Sequence, residues 1–262
     1  MTTLVRYGRD GGRATVMLNN PEKLNAINFA MWRELRRVIE AASEEAAVRC
    51  VVLCGAGEHF AAGGDLEEFM TLRATLDQAL VYHEEVAGAL TAIRHCQHPT
   101  LAMIRGACIG GGLEIAACCD IRVCDDTARF GAPINKLGFS MYPGEMSGLL
   151  KVFGQAAVAE MLLESRILDA REAERKNLVS RAVPPGDLEE EIDSAVRRIT
   201  AGAPKVASWH KHWMRRLAHD APLTDDEKIA AFAFLDTEDY REGLRAFMEK
   251  RKPRFTGEDG SG

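Results

Sequence analysis

The sequence predicts an α/β fold. Two apolar runs, residues 48–54 and 100–105, lack polar alternation and are typical of strands that are buried on both faces. Each run leads into a loop of small residues and then into a segment with helical character, and this alternation predicts a parallel, layered α/β core. From Leu188 onward the pattern is helical, so we divide the chain into a core, residues 1–187, and a helical C-terminal portion, residues 188–262.

The first half of the chain predicts a hairpin, two helices and three strands. Residues 4–19 alternate around Gly11-Gly12 and predict a β-hairpin. Asn28 is a suitable N-cap, and an apolar stripe after it predicts a helix that ends near Ala46. The remaining predicted elements of this half are a strand at 48–54, a helix at 66–96 and strands at 100–105 and 120–124.

The second half is predicted to be mainly helical. Residues 130–154 are rich in glycine and proline and are expected to be irregular before a helix at about 145–153. Asp169 and Glu172 have the spacing of a capping box, and Asn177 is a suitable left-handed helix stop. The other predicted elements are a strand at 178–183 and C-terminal helices that are broken at 202–204 and at Pro222.

Composition excludes several classes of protein. The 262 residues carry a net charge of −6, which argues against non-specific binding of nucleic acid. We find no apolar run long enough for a membrane span and no signal-peptide core. The seven cysteines lie mostly in apolar settings without metal-site spacing, so we expect buried, reduced thiols in a cytoplasmic protein.

The most informative stretch is residues 104–120, where an apolar strand enters Gly110-Gly-Gly112 and Glu114 follows. A strand that leads through glycines into a helix aims backbone N–H groups at an anionic oxygen, and the helix dipole adds positive potential there. A carboxylate beside such donors suits chemistry that stabilises an enolate and moves a proton. By itself the stretch could equally be a flexible turn with a glutamate that only complements the helix dipole.

A second loop with the same logic favours the chemical interpretation. Residues 59–66, His-Phe-Ala-Ala-Gly-Gly-Asp-Leu, follow the apolar run at 48–54 and precede a predicted helix, and Gly64 can turn its N–H inward. Two loops that each supply one N–H would form an oxyanion hole with two donors.

Together the two loops resemble those of the crotonase (enoyl-CoA hydratase/isomerase) superfamily, and the resemblance covers nearly the whole chain. It implies a spiral core of ββα units, a helical C-terminal trimerisation portion and an acyl-CoA substrate. Six segments match in order: 20–27, 60–66, 106–120, 130–138 with Pro143-Gly144, 168–179 and 242–252.

The resemblance assigns roles to residues of the two loops. It implies that the N–H groups of Gly64 and Gly111 hold the thioester carbonyl, and that Glu114 is a catalytic acid or base. Ala62 and Leu66 are implied to contact substrate. Asp65 is implied to do the same, although a residue in its position more often only ties down its own loop.

One position departs from the pattern of the hydratases, which carry a second glutamate where this chain has Ile134. Isoleucine cannot bind or split water, although a water held by Glu114 alone is not excluded. Glu145, at a predicted helix start nearby, is a candidate substitute, but the interpretation that it only complements the helix dipole is favoured. Ile134 and Tyr142 are candidates for the acyl pocket, and Tyr142 could equally pack elsewhere.

The resemblance also implies how coenzyme A is bound. Lys23, Leu24 and Ala26 match the loop that cradles its adenine and pantetheine, and Phe247 and Lys250 match positions that stack on adenine and meet phosphate. These last two often serve a neighbouring subunit, so a trimer or a dimer of trimers is expected. The histidines, including His59, are expected to pack or to face solvent rather than to act as bases.

Three functions are therefore open. The chain could be an enoyl-CoA hydratase, an isomerase or other crotonase enzyme with a single glutamate, or an acyl-CoA-binding paralogue without turnover. Retention of Gly64, Gly111 and Glu114 argues against the last, because binding alone needs no carboxylate there. No metal or redox cofactor is expected, since coenzyme A belongs to the substrate.

Overall fold

The computed structural model describes residues 3–218 and 220–258. The strands are β1 Val5–Asp10, β2 Arg13–Leu18, β3 Cys50–Gly55, β4 Thr100–Ile104, β5 Ala107–Ile109, β6 Ile121–Asp125, β7 Arg129–Gly131, β8 Leu168–Asp169 and β9 Arg181–Val183. The helices are α1 Phe29–Glu44, α2 Leu66–Leu72, α3 Leu76–His95, α4 Gly111–Cys118, α5 Pro143–Leu163, α6 Ala170–Arg175, α7 Leu188–Thr200, α8 Pro204–Leu217, α9 Asp225–Ala230 and α10 Glu238–Met248.

The main sheet has six strands in the order β1-β2-β3-β4-β6-β9. The predicted hairpin forms its antiparallel edge, with Val5 opposite Leu18, and every other neighbouring pair is parallel. The parallel α/β core that the sequence predicts is confirmed.

Both faces of this sheet are buried, which explains the continuous apolar runs. Successive side chains of a strand point to opposite faces. In β3, Val51 and Leu53 therefore join the large core under α1, α3 and α4, whereas Cys50 and Val52 join a second core under α7. All seven cysteines are buried and unpaired, as expected.

A second, three-stranded sheet in the order β5-β7-β8 is absent from the sequence prediction. Its strands are two or three residues long, too short to show a period of two. Strand β5 nevertheless matters for the site, because it leads directly into the glycines before α4 and is bridged to Ala61 of the other loop.

The structure corrects the prediction for two helices and one strand. The expected helix at 66–96 is two helices, because Thr75 and Gln78 form a capping box that starts α3. Helix α5 begins at Pro143, a favoured first-turn residue, and not near 145. The strand expected at 178–183 is shortened to β9. The caps at Asn28 and Asp169 are confirmed, and Asn177 is left-handed at φ 60°.

Helix α5 is long and apolar enough to cross a membrane by length and composition alone. Its helical conformation is interrupted at Gly154, with φ 77° and ψ 160°. Leu149, Phe153 and Met161 are buried in the large core. One side of α5 therefore packs on the large core, while most of its apolar segment is half-buried or exposed, and the prediction that the chain has no apolar run of this length is wrong.

The C-terminal portion is anchored to the core by both apolar and charged contacts. Leu188 and Ile192 of α7 pack on the sheet face opposite α1. The Nζ of Lys211 on α8, a side chain only 3% exposed, lies 2.7 Å from the Oδ2 of Asp120. Residues 259–262, which the sequence analysis includes in this portion, lie outside the described residues.

Candidate active site

In the first loop, the backbone pairs with Ile27 on one side, and the N–H of Gly64 points to the other side. The Ile27 N–H donates to the Gly63 carbonyl at 2.7 Å, and the Asp65 N–H donates to the Ile27 carbonyl at 3.0 Å. In such a parallel bridge the middle residue points its own N–H to the other side. The Gly64 N–H is therefore left available, as the sequence analysis predicts.

The second loop presents Gly111 as the first residue of α4, where no intrahelical acceptor exists for its N–H. Gly110 before it adopts φ 50° and ψ −116°, a conformation that is unfavourable for residues other than glycine. The two loops touch: a Cβ added at Gly112 would lie 2.5 Å from the Ala61 carbonyl oxygen. The glycine run thus allows both donors to approach one place.

The two loops line one cavity of about 230 Å³. Of the residues predicted from the sequence, eight line it: Ala62, Gly64, Leu66, Gly111, Glu114, Ile134, Tyr142 and Glu145. The structure therefore brings together the two oxyanion donors, the first carboxylate and its candidate partner.

The two carboxylates interact electrostatically inside this cavity. Burial raises the pKa of the Glu114 carboxyl well above its usual range, and the negative charge of Glu145 raises it further. The guanidinium of Arg73 lowers it against these two effects. Glu114 is thus predisposed to hold a proton, which suits a general acid.

His83 is a site residue that the sequence analysis missed. Its Nδ1 and the Oε1 of Glu145 share a hydrogen bond of 2.5 Å, with side chains only 12% and 9% exposed. Its ring stacks on that of Tyr142, with centroids 4.7 Å apart. His59 packs as expected, its Nδ1 accepting from the Ala107 N–H, and His83 also packs, but it does so inside the cavity and against a carboxylate.

Arg73, which follows α2, is the second missed residue. It lines the cavity and lies over the ring of Phe69, with the guanidinium carbon 4.0 Å from the ring centroid. Neither His83 nor Arg73 belongs to a local motif. The sequence marks them only as polar residues of the predicted helical segment at 66–96, which follows the first loop.

The residues predicted to bind coenzyme A do not line this cavity. Lys23 pairs with Asp65 and Glu67, at 2.8 Å each, and Asp65 also caps α2. Leu24 and Ala26 lie in the same N-terminal loop, where the Leu24 carbonyl accepts from the Ala62 N–H at 3.0 Å.

At the other end of the chain, Phe247 is 79% exposed at the end of α10. Lys250 follows it at φ 54°. Their roles, like those of the N-terminal loop, stay predictions.

Comparison with known families decides what the site belongs to. The model of the enoyl-CoA hydratase/isomerase family matches residues 8–258. The chain belongs to this family. The resemblance to the crotonase superfamily is thereby confirmed. Membership of the enoyl-CoA hydratase/isomerase family implies an acyl-CoA substrate.

Individual relatives agree over nearly full length. A probable enoyl-CoA hydratase of Mycobacterium tuberculosis is 34% identical over 95% of this chain and 96% of its own. A mevalonyl-coenzyme A hydratase of Aspergillus fumigatus is 32% identical over 91% of this chain and 89% of its own.

Solved structures agree as well. An enoyl-CoA hydratase/carnithine racemase from Magnetospirillum magneticum superposes with a TM-score of 0.96 at 44% identity, over 98% of this chain and 97% of that one. A putative enoyl-CoA hydratase/isomerase family protein from Hyphomonas neptunium gives a TM-score of 0.93 at 32% identity, over 98% and 99%.

Proposed function

We propose that this enzyme is a hydratase that adds water to a 2-enoyl-CoA thioester. The observation that carries the proposal is the juxtaposition of two carboxylates, Glu114 and Glu145, in the cavity that also holds the Gly64 and Gly111 N–H groups. Hydration needs one group to take a proton from water and another to deliver a proton to carbon. Glu145 supplies the carboxylate that Ile134 lacks.

The reaction begins when the thioester carbonyl accepts hydrogen bonds from Gly64 and Gly111. Glu145, positioned by His83, takes a proton from water while the water oxygen bonds to C3 of the substrate. The electrons of the C2–C3 double bond move toward the thioester oxygen and form an enolate, which the two N–H groups stabilise by roughly 3 kcal/mol per donor.

Glu114 completes the reaction by delivering its proton to C2. Its raised pKa supports this assignment, because burial disfavours the charged carboxylate and so favours the protonated form that can donate. After the product leaves, Glu145 releases the proton it gained and Glu114 takes up a proton through exchange with water, so both groups return to their starting states.

We also propose that segments outside the cavity bind the coenzyme A part of the substrate. The hydrogen bond from Ala62 to Leu24 holds the N-terminal loop beside the first oxyanion loop, which supports a role of Lys23, Leu24 and Ala26 in binding coenzyme A. The exposed ring of Phe247 supports stacking on adenine, with Lys250 nearby for phosphate.

The test follows the absorbance of the conjugated thioester of crotonyl-CoA after it is mixed with the protein. We expect steady loss of the band, and a reduction of kcat by about 10²- to 10⁴-fold in Glu114→Gln and in Glu145→Gln. Glu164→Gln is the matched control, because Glu164 is exposed at the far end of the helix that carries Glu145.

Two results would contradict hydration. If wild-type protein leaves crotonyl-CoA unchanged but makes the band appear from a 3-enoyl-CoA, the enzyme is an isomerase. If it binds both thioesters and converts neither, it is a binding paralogue. Full activity in Glu145→Gln would remove Glu145 from the mechanism and leave Glu114 alone.

A further inference from the structure

Arg73 places a fixed positive charge in the wall of the acyl cavity. Its guanidinium carbon lies 4.0 Å from the ring centroid of Phe69, 5.2 Å from that of Phe139 and 5.4 Å from that of Tyr82. All three rings line the cavity with it. Contact with aromatic faces stabilises a guanidinium in place without neutralising its charge.

In the part of the chain that the structure describes, this charge has no ion-pair partner. Across residues 3–218 and 220–258, no carboxylate lies within ion-pair distance of Arg73, and its guanidinium donates no hydrogen bond. The nearby glutamates have other contacts: Glu68 accepts from the Phe29 N–H and Glu145 binds His83. The charge still reaches Glu114, whose pKa it lowers.

A guanidinium with all its donors open is a strong receptor for a carboxylate, which it binds through two parallel hydrogen bonds. We propose that Arg73 binds a carboxylate at the far end of the acyl group, so that the substrates of this enzyme are monothioesters of short dicarboxylic acids. The reaction of these substrates rests on the proposed function, whereas the binding of their carboxylate by Arg73 does not.

Two further features fit an acidic tail. The cavity of about 230 Å³ is smaller than the ~300–1,000 Å³ that is typical of small-molecule pockets, so it favours a short acyl group. The aromatic faces that would otherwise hold a quaternary ammonium group are occupied by Arg73, which also repels it.

The test measures binding of three saturated thioesters by titration calorimetry, so that no turnover is needed. Glutaryl-CoA, 5-methylhexanoyl-CoA and 4-trimethylammoniobutanoyl-CoA have the same chain length and end in an anionic, a neutral and a cationic group. We expect glutaryl-CoA to bind at least about tenfold more tightly than the neutral thioester, and the cationic thioester to bind most weakly.

Variants assign the preference to Arg73. We expect Arg73→Gln to abolish the preference for glutaryl-CoA and to leave the affinity for 5-methylhexanoyl-CoA within about twofold, which also shows that the variant is folded. Arg73→Lys should keep part of the preference. Arg37→Gln, which changes an exposed arginine paired with Glu34 on α1, should behave as wild type.

Three results would overturn the proposal: equal affinity for glutaryl-CoA and the neutral thioester, tightest binding of the cationic thioester, or an equal loss for all three in Arg73→Gln. The last would mean that Arg73 serves coenzyme A or the fold. Because these are binding measurements, an enzyme that prefers glutaryl-CoA but fails to hydrate enoyl thioesters would refute only the proposed reaction.

Discussion

Glu145 reaches the active-site cavity from the first turn of α5, eleven positions after Ile134, where the hydratase pattern has its second glutamate. A carboxylate that enters the cavity from a different sequence position can replace the second glutamate only if its side chain is held in a suitable orientation. Here the orientation comes from His83, which is itself held by its stack on Tyr142. The His83–Glu145 pair is therefore a positioning device that a local motif could not reveal.

Replacing His83 tests this device at the level of one hydrogen bond. His83→Leu removes the contact with Glu145, and we expect kcat to fall by roughly tenfold or more while KM changes little, because only the placement of an acid–base group is lost. His83→Asn places an amide near the position of Nδ1 and should recover part of kcat. Steady-state kinetics with crotonyl-CoA decide the matter, and a rise in KM at constant kcat would assign His83 to binding instead.

Glu114→Gln should change the pH dependence of stability. The folded-state pKa of Glu114 is raised, so its carboxyl contributes stability below its unfolded pKa and loses that contribution as the pH rises through the folded value. Glutamine does not titrate. The melting temperature of Glu114→Gln relative to wild type should therefore increase as the pH rises above the ordinary glutamate pKa of 4.5, and a constant difference would argue that the site is solvated.

At the scale of elements, the site depends on how closely two loops approach. Strand β5 is bridged to Ala61, and α4 starts where the loops touch, so the N–H groups of Gly64 and Gly111 are fixed by backbone pairing. This preorganisation is what allows donors to stabilise developing charge without rearrangement.

Gly112→Ala tests that approach. A Cβ at this position would lie 2.5 Å from the Ala61 carbonyl oxygen, so the loops must separate. We expect a loss of about 1–3 kcal/mol in unfolding free energy together with a fall in kcat. Gly186→Ala is the control, since a Cβ there meets no atom within 4 Å, and it should stay within about 0.5 kcal/mol of wild type. Equal behaviour of the two variants would contradict the tight contact.

Elements with a local signal could be predicted from the sequence, and those without one could not. The buried strands, the hairpin and the caps at Asn28 and Asp169 follow from patterns within a few residues. Gly64, Gly111 and Glu114 lie in such patterns, and the structure places them in one cavity, while their roles stay predictions. The spacing of Thr75 and Gln78 is that of a capping box, so a local signal also exists for the division of the predicted helix at 66–96.

Residues whose role depends on distant segments are a different case. The short strands β5, β7 and β8 exist because they pair with one another. His83 and Arg73 look like surface charges on helical segments until Glu145 and Phe139 are folded against them. Such roles arise from tertiary contacts between segments more than 60 positions apart, which a single sequence does not show.

At the scale of the whole molecule, the C-terminal helices leave large apolar side chains in contact with solvent. Ile229 is 72% exposed, Phe232 60% and Met248 79%. Ile229 and Phe232 lie one turn apart, where the Phe232 N–H donates to the Ile229 carbonyl, and exposed apolar side chains that lie together are typical of protein–protein interfaces. This surface supports the predicted trimer, whereas the assignment to the cytoplasm stays a prediction.

The oligomeric state can be read from the mass in solution. Light scattering after size-exclusion chromatography should give three times 28.8 kDa, or six times for a dimer of trimers. Phe232→Glu should shift the mass toward one chain, because a charge buried in an apolar interface is costly. A monomeric wild-type protein would contradict the prediction.

In the proposed reaction, Glu114 and Glu145 together add one water to an enoyl thioester. The most direct measurement is mass spectrometry of the product formed from crotonyl-CoA in heavy-oxygen water. We predict a hydroxyacyl thioester that carries the heavy oxygen, and its loss in both Glu114→Gln and Glu145→Gln. A product without heavy oxygen, or undiminished incorporation in Glu145→Gln, would contradict it.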